Sequence, residues 1–524
     1  MSRKPGETSV FPRTELTAAQ NSRSFVKLFA NSKPFLAWFV IALLITELCG
    51  LYLLEWPLLF NFNKFAFWDW GGYLVAHYLV QRGATPVTGF GWQYGLLPLL
   101  LQELWFRSVN ASPASFLMLS FPCALLFTVA VARFANLVNK TAGRALLLLS
   151  FPFILALGAD LPHALEPALL SAGLLLQARG KREQALALAT AACFTKPVMG
   201  YLYGLVLLVF VIVDRRRQDK LAIAGLVRAF LPAICTGLGL ALLLGITFGW
   251  IALVRSLIPL AGAQGYRVLH YGWSGIAREL FYFPGMRPAY YIGTPVTFLL
   301  CATFYLISAT ALTGWRSLQN GRQAPANYEI VLTCALLHVG FLVCFYGAPA
   351  SWTYYAYILV MGVAATAAWT LANRRLVWGL CILAACGNYG IFKSSIVAWK
   401  TMTQSSATAG LFVAPAELVE WNRVTAIVKD ENPAIFTWDG GAEVLFPWLR
   451  KPVEAFIVPG VATGSEIQQK VQELRSAEVI VIPTIPELGN PVTNWPGAEF
   501  QGVFANATRI FKGDYFEVYA RGNR

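Results

Sequence analysis

Long apolar runs recur along the 524-residue chain and constrain its fold more than any other feature. An apolar helix of about 20 residues is long enough to cross the hydrocarbon layer of a bilayer, which is roughly 30 Å thick. Only 13% of the residues are charged, about half the share found in soluble domains, so a soluble fold could not cover its surface. We therefore predict an integral membrane protein with about eleven spans, at 34–59, 113–136, 145–159, 164–178, the short 184–195, 198–213, 221–248, 294–313, 329–348, 354–372 and 377–392.

The net charge of +14 comes from 41 lysines and arginines against 27 acidic residues. Short cytoplasmic loops of membrane proteins carry an excess of lysine and arginine, so the placement of the cations indicates the topology. With a cytoplasmic N-terminus, every basic cluster between spans falls on the cytoplasmic side; these are Lys140/Arg144, residues 179–182, residues 215–220, Arg316/Arg322 and Arg374/Arg375. The excess charge therefore indicates topology and not a nucleic-acid partner.

The predicted fold class is an α-helical polytopic membrane protein with a C-terminal soluble α/β domain. Residues 1–33 form a basic cytoplasmic tail, 34–400 the transmembrane domain with outer loops at 61–112 and 249–293, and 401–524 the soluble domain. The last segment alternates β-rich runs at 434–438, 479–483 and 515–520 with a polar helical pattern at 466–475, and Lys512-Gly513-Asp514 is typical of a hairpin turn. Eleven crossings place this domain outside, in the periplasm or the extracellular space. Short loops favour the bacterial inner membrane.

The first outer loop contains Asp69 between Trp68 and Trp70, directly before a helical pattern at 70–81. An aspartate at this position is typical of a helix cap, since its carboxylate accepts hydrogen bonds from the first free N–H groups. The alternative is a carboxylate at the membrane surface that faces a lipid-borne substrate. The next apolar stretch, 94–107, is too short for a comfortable span, and crossing there would turn every basic cluster outward, so we predict a helix in the membrane interface.

The order of these elements resembles the GT-C superfamily of glycosyltransferases, which use polyprenyl-phosphate sugar donors, and within it the branch of protein O-mannosyltransferases and the lipid A aminoarabinose transferase. The family pattern has one span, an outer loop that opens on an acidic residue, two juxtamembrane helices, a basic cytoplasmic turn and a Thr-Lys-Pro element at an outer membrane edge. The matching parts here are Asp69, residues 70–81, residues 94–107 beginning Tyr94-Gly95-Leu96-Leu97-Pro98, the turn 179–182 and Thr195-Lys196-Pro197. The resemblance covers residues 35–215 and extends to the later spans by architecture.

The resemblance implies that Asp69 is the general base that activates the acceptor, as a carboxylate within hydrogen-bond reach can do. A cation stabilises the leaving phosphate, and Lys196 is the main candidate, with a lysine that merely extends to the interface as the alternative. The second outer loop interleaves arginines with aromatic rings, which suits a phosphate and a sugar, and from it we select Arg267 and Arg278 for the phosphate. The candidate substrate-binding residues are Trp68, Trp70, Tyr94, His163, Glu166 and Tyr271.

His163 and Glu166 belong to a polar cluster at 159–166, at the outer turn where the span at 164–178 begins. A carboxylate near the start of a span is costly unless it is paired, so we expect Glu166 to meet Lys196 or an arginine of the second loop. Many relatives have two adjacent acidic residues where this chain has Asp69-Trp70, so no metal signature is present, and a divalent metal is not indicated. No cofactor is predicted.

The sequence thus predicts an inverting glycosyltransferase that moves a sugar from a polyprenyl-phosphate donor to a lipid, glycan or protein acceptor at the outer face of the membrane. The partners are that donor, that acceptor and membrane lipids. One alternative is a ligase or polymerase that uses lipid-linked glycans. Another is a non-catalytic transporter of lipid-linked substrates, although the paired broken helices of many transporters are not apparent. A third is an inactive scaffold.

Overall fold

The computed structural model describes residues 53–54, 56–62, 69–138, 161–217, 223–258, 329, 332–334, 336–337, 393, 395–408, 410–429, 431–437, 464–484, 490–494 and 498–522. The predicted spans at 145–159, 294–313, 354–372 and 377–392, and most of those at 34–59 and 329–348, lie outside these residues. The chain forms two compact units, Met1–Leu53 and Leu54–Arg524. Every element named below belongs to the second unit.

Eight helices lie among the described residues between 69 and 258. Their bounds are α1 Asp69–Gln81, α2 Leu96–Phe106, α3 Pro113–Val138, α4 Leu161–Ala178, α5 Arg182–Cys193, α6 Pro197–Arg217, α7 Ile223–Phe248 and α8 Trp250–Ser256. Helices α3 to α7 coincide within a few residues with predicted apolar runs. Helix α1 begins at Asp69 itself, one residue before the predicted helical pattern at 70–81.

The short helix α5 lies at the centre of this part of the molecule. It packs against α4, α6 and α7. Ala185, Ala189 and Ala192 have no exposed surface and follow the spacing of one helix face, so their small side chains allow neighbouring helices to approach closely. Its 12 residues extend about 18 Å, which is less than the thickness of a bilayer core.

Among the described residues, one helix is both long and apolar enough to cross a bilayer, namely Ala224–Phe248 in α7. Only 22% of its most apolar window is buried in the protein. Leu238 and Ile246 are 67% and 72% exposed. A single helix of this kind is weak support for a membrane location, and the count of about eleven spans stays a prediction.

The C-terminal part contains a four-stranded mixed sheet. Its elements are β1 Thr403–Gln404, a 3-10 turn Ser406–Thr408, β2 Phe412–Val413, α9 Pro415–Val428, β3 Ala434–Ile435, α10 Gly464–Ser476, β4 Val479–Pro483, β5 Ala507–Lys512 and β6 Phe516–Arg521. The sheet has the order β3-β4-β6-β5, with β3 parallel to β4 and the other pairs antiparallel. The predicted strand at 479–483, the helix near 466–475 and the hairpin at Gly513 are confirmed.

Helices cover this sheet on both faces. Ile480 and Ile482 of β4 point into a core with Val471 and Leu474 of α10. The other face meets α9, whose Trp421 ring lies edge-on to Phe516 with centroids 6.0 Å apart. All five residues of β4 are buried. Because successive side chains point to opposite faces, apolar side chains lie on both faces of the sheet, as expected of a strand between two layers. A separate, externally located domain at 401–524 stays a prediction.

The C-terminal part also packs on the chain just before the first outer loop. The Phe412 amide donates to the Phe60 carbonyl (2.7 Å). The Phe62 ring lies edge-on to Trp421, with centroids 5.1 Å apart. These contacts hold the C-terminal sheet and its helices beside residues 60–62.

A buried carboxyl group in α9 makes this part of the chain sensitive to pH. Glu417 is 1% exposed, and among the described residues no hydrogen-bond partner is found for its Oε1. Burial raises the pKa of Glu417 to about 8, and the nearby negative charge of Glu420 contributes to the increase. The folded protein therefore keeps this proton at pH values where an unfolded glutamate, with a pKa of about 4.3, has lost it.

We expect the protein to lose stability as the pH rises from about 5 to 8, because folding then requires Glu417 to stay protonated. The effect levels off above pH 8 and amounts to roughly 4 kcal/mol or less. Replacement Glu417→Gln supplies a neutral side chain and should flatten the dependence of the thermal unfolding midpoint on pH. The exposed Glu499→Gln is the control and should leave the slope unchanged; an equal slope in Glu417→Gln and the parent would contradict the assignment.

Candidate functional site

An aromatic cluster surrounds Tyr94 at the start of α2. The Lys196 ammonium lies over its ring, with Nζ 5.1 Å from the centroid. The imidazole of His163 meets the same ring edge-on, with centroids 5.5 Å apart. Tyr73 and Trp92 lie beside it at 5.8 and 5.6 Å. The structure thus brings together Tyr94, His163 and Lys196, which are spread over about a hundred residues of the sequence.

The main chain around Tyr94 is fastened to the turn between α5 and α6. The Gly95 amide donates to the Thr195 carbonyl (2.8 Å), and the Leu97 amide donates to the Phe194 carbonyl (2.9 Å). The Trp92 indole N–H donates to the Gly95 carbonyl (3.2 Å). Two main-chain hydrogen bonds to one turn define the position of Tyr94 relative to Lys196.

The local sequence explains the shape of this turn. Helix α5 ends at Cys193, and the Lys196 amide donates back to the Ala192 carbonyl (2.9 Å). Pro197 then opens α6, where its missing N–H leaves no unsatisfied donor and its fixed φ suits a first helical residue. Thr195 is fully buried and Lys196 half-buried. The Thr-Lys-Pro element is therefore a tight helix–helix corner that presents one ammonium group.

Gly95 approaches this corner too closely for any side chain. A Cβ atom at position 95 would lie 2.0 Å from the Phe194 carbonyl oxygen and 2.9 Å from the Thr195 amide nitrogen. Both atoms are main chain, so relief requires the two segments to separate.

We expect Gly95→Ala to destabilise the protein by about 3 kcal/mol or more, because the backbones must move apart. The thermal unfolding midpoint of the purified protein measures this effect. Gly239→Ala is the matched control, since a Cβ at this helical position of α7 meets no atom within 4 Å and alanine favours a helix over glycine. A Gly95→Ala midpoint equal to that of Gly239→Ala would contradict the close approach.

Helix α4 contributes two buried polar side chains to the same region. His163 and Glu166 lie one turn apart, on one face of the helix, and are 3% and 2% exposed. The Lys196 ammonium acts electrostatically on the Glu166 carboxyl group; a direct pairing of the two groups stays a prediction. Among the described residues, Oε1 of Glu166 is buried with no hydrogen-bond partner. A buried carboxylate oxygen without a partner is costly in a fold unless a ligand satisfies it.

Helix α1 begins at Asp69 and contributes Tyr73 to this cluster. Tyr73, one turn after Asp69, is 2% exposed and stacks on Phe116 at 5.2 Å. Trp70 is buried.

Several predicted site residues lie outside the part of the chain that the structure describes. They are Trp68, Arg267, Tyr271, Arg278 and the side chain of Asp69. Their assignments stay predictions. The structure therefore places Tyr94, His163, Glu166 and Lys196 together and gives the helix position of Asp69 and Trp70.

A second polar group joins α1 to α2. Glu103 is 3% exposed; its Oε1 lies 2.8 Å from Nδ1 of His77, and its Oε2 accepts a hydrogen bond from Gln81 Nε2 (2.8 Å). The side-chain Nε2 of Gln102 donates to the Tyr73 carbonyl (2.7 Å). These bonds fix α1 on α2 and explain His77 as a packing residue with a polar partner.

An apolar groove of about 720 Å³ begins at the same turn. Glycines leave room for it between α5, α6 and α7. Its lining comprises Thr190, Cys193, Phe194, Gly200, Tyr201, Leu202, Gly204, Leu205, Leu208, Gly237 and Leu257. Phe194 and Cys193 therefore connect the groove to the corner that carries Lys196.

Sequence reasoning did not identify Tyr73, Trp92 or the packing role of Gly95. Tyr73 and Trp92 are two aromatic residues among many in a chain that is 14% aromatic, and only the fold shows which rings surround Tyr94. The Tyr94-Gly95-Leu96 pattern draws attention to Gly95. Its packing role could not be predicted, because the main chain that it contacts, at Phe194 and Thr195, lies a hundred residues away. Within the described residues there is no group of three or more His, Cys, Asp and Glu side chains arranged to hold a metal ion.

No family model matches this chain, and no curated protein matches it. Among solved structures it is similar to ArnT from Cupriavidus metallidurans bound to undecaprenyl phosphate, with 12% identity, 92% of this chain and 99% of that chain covered, and a TM-score of 0.53. Another match is apo ArnT from the same organism, with 14% identity, 93% of this chain and 100% of that chain covered, and a TM-score of 0.48. A third is the Archaeoglobus fulgidus oligosaccharyltransferase in complex with zinc and sulfate, with 12% identity, 91% of this chain and 73% of that chain covered, and a TM-score of 0.40.

The match to undecaprenyl phosphate-bound ArnT extends over nearly the full length of both chains. Because the two sequences are only 12% identical, this match shows a similarity of fold alone. The chain therefore shares its overall fold with ArnT, in agreement with the fold expected from the order of its sequence elements.

Proposed function

We propose that this chain is a membrane glycosyltransferase that takes a sugar from a polyprenyl-phosphate carrier and passes it to a lipid, glycan or protein acceptor at the outer face. The observation that carries the proposal is the convergence of Lys196, Tyr94, His163 and Glu166 at one helix corner. A cation, two hydrogen-bonding rings and a carboxylate in a largely apolar setting suit a ligand with one charged group and a polar ring. The similar ArnT structure is bound to undecaprenyl phosphate, which has the charged group and the apolar chain of such a donor without its sugar.

Each group has a distinct role in this proposal. Lys196, with Arg267 and Arg278, binds the donor phosphate and stabilises the charge that develops as it leaves. Glu166 and His163, together with Tyr94, Trp68, Trp70 and Tyr271, contact the sugar or the acceptor. Because Oε1 of Glu166 has no hydrogen-bond partner among the described residues, it has the capacity to accept a hydrogen bond from a sugar hydroxyl.

The reaction is a single displacement at the anomeric carbon. Asp69 accepts the proton from the acceptor hydroxyl or amine as the acceptor atom bonds to that carbon. The bond between the anomeric carbon and the phosphate oxygen breaks, and the polyprenyl phosphate departs with both electrons of that bond. Attack opposite the leaving group inverts the anomeric configuration.

The apolar groove beside Phe194 supports a lipid-linked donor. Its walls are mostly leucine and glycine, with Phe194 and Tyr201 among the other lining residues, and it starts at the corner that carries Lys196. An isoprenoid chain in this groove would bring its phosphate next to the ammonium group. We further propose a bacterial plasma-membrane location, a cytoplasmic N-terminus and an external C-terminal domain, on the distribution of basic residues.

The proposal is tested by comparing envelope lipids and glycans of a deletion strain with those of the complemented strain by mass spectrometry. Loss of one sugar modification, restored by the parent gene and not by Asp69→Asn, is expected. Accumulation of a whole glycan on its carrier would instead support a ligase. Substrate that crosses sealed vesicles without formation of a glycosidic bond would overturn the proposal in favour of a transporter.

A further inference from the structure

The C-terminal helix α10 reaches the segment that carries Tyr94. Glu466, in the first turn of α10, is 3% exposed. Its Oε2 accepts a hydrogen bond from the backbone N–H of Gly91 (3.0 Å), 375 residues away in the sequence. A buried carboxylate that accepts from an amide forms a charge-assisted bond, which is stronger than a neutral one.

Gly91 begins a short segment that is fixed at both ends. At one end is the bond to Glu466. At the other, the amides of Gly95 and Leu97 bond to the corner between α5 and α6. Within the segment, the Trp92 indole closes onto the Gly95 carbonyl. Tyr94, whose ring meets Lys196 and His163, lies between the two attachment points.

The bonds at Gly95 and Leu97 restrain the chain after Tyr94, and the bond at Gly91 restrains the chain before it. Loss of the first attachment frees three residues on one side of the ring. The ring of Tyr94 would then turn away from Lys196 more readily, because one fixed end leaves the main-chain dihedrals of 91–93 unrestrained.

We propose that Glu466 is a positioning residue for the donor site, which it serves by holding Gly91 and thereby the ring of Tyr94 against Lys196. This inference rests on the proposed function, since it assumes that Lys196 and Tyr94 bind a polyprenyl-phosphate donor. It assigns the C-terminal part a role in the site and extends beyond the residues predicted to touch substrate. Glu466 itself contacts no substrate in this arrangement.

The test uses the full-length protein in lipid nanodiscs and undecaprenyl phosphate as the probe. Four proteins are compared: the parent, Glu466→Ala, Glu466→Gln and Gln472→Ala. Glutamine retains a side-chain oxygen that accepts from the Gly91 amide without the charge, whereas alanine removes the acceptor. Gln472 is exposed on the same helix and controls for general effects on α10. The measurements are the dissociation constant, the thermal unfolding midpoint and hydrogen exchange of the amides at 91–97.

We expect Glu466→Ala to weaken binding by about tenfold and to accelerate exchange at 91–97, an effect of the size found when a charged hydrogen-bond partner is lost. Glu466→Gln should restore affinity to within about threefold of the parent, and Gln472→Ala should match the parent. Rescue by glutamine separates positioning from loss of stability, because a purely structural role would lower the unfolding midpoint without changing the affinity of the folded protein.

Parent-like affinity in Glu466→Ala, with exchange accelerated at 91–97, would overturn the inference while leaving the donor site intact. Equal loss in the alanine and glutamine variants would also overturn it, since the acceptor oxygen would then be irrelevant. If Glu466→Ala does not fold, Glu466→Asp takes its place, because its carboxylate is one methylene short of Gly91, and the same two outcomes apply. No saturable binding by the parent would contradict the proposed function itself.

Discussion

Replacement of Asp69 by asparagine is expected to lower sugar transfer by about a hundredfold to ten-thousandfold, the usual contribution of a general base. Asparagine has nearly the same size and retains capacity to cap a helix, so α1 should form as before. Only the ability to accept the proton of the acceptor is removed. The initial rate of transfer at saturating donor measures this effect.

Binding of undecaprenyl phosphate separates the role of Asp69 from general damage. The affinity of Asp69→Asn should stay within about threefold of the parent, because the base acts on the acceptor and not on the phosphate. Asp514→Asn, in the exposed turn between β5 and β6, is the matched control and should transfer at the parental rate. A full rate in Asp69→Asn would show that another group acts as base or that none is needed.

Replacement of Lys196 by methionine is expected to weaken donor binding by about tenfold to a hundredfold. A hydrogen bond to a charged group contributes roughly 1.5–3 kcal/mol, and 1.4 kcal/mol corresponds to a factor of ten. Methionine keeps much of the length of the side chain and its packing on Tyr94 while removing the charge. The dissociation constant for undecaprenyl phosphate is the relevant measurement.

Two further variants control the experiment at Lys196. Lys196→Arg keeps a positive charge and should retain more affinity than methionine, and Lys512→Met, at an exposed site at the end of β5, should have no effect. Raised ionic strength should weaken the parent more than Lys196→Met, since only the parent retains the ammonium group. Equal affinities in the parent and Lys196→Met would remove Lys196 from the phosphate site.

Local patterns in the sequence predicted most of the described elements. The apolar run at 221–248 corresponds to α7, and the β-rich run at 479–483 to β4. Both depend on hydrophobic period and length, which are local properties. Helix α9 was not predicted, because its polar and apolar residues give only a weak helical pattern around Trp421. The mixed order of the sheet depends on pairing between distant strands, which no local pattern specifies.

The candidate site was predicted residue by residue but not as an arrangement. Glu166 and Lys196 were selected because ionisable residues at the edge of apolar runs are unusual, His163 because it shares a polar cluster with Glu166, and Tyr94 because its segment resembles the family pattern. The contact between the Tyr94 ring and Lys196 depends on the bonds at Gly95 and Leu97, which join segments a hundred residues apart. The bond from Gly91 to Glu466 spans a still longer separation, and a glutamate in a polar helix gives no sign of such a partner.

The central claim is most directly tested with purified protein in proteoliposomes that contain polyprenyl-phosphate sugar and envelope lipids from the same cells. Free polyprenyl phosphate and glycosylated acceptor should appear in equal amounts with the parent protein, and neither should appear above background with Asp69→Asn. Passage of the intact donor across the vesicle membrane, with no polyprenyl phosphate released, would contradict the assignment of this chain as a glycosyltransferase.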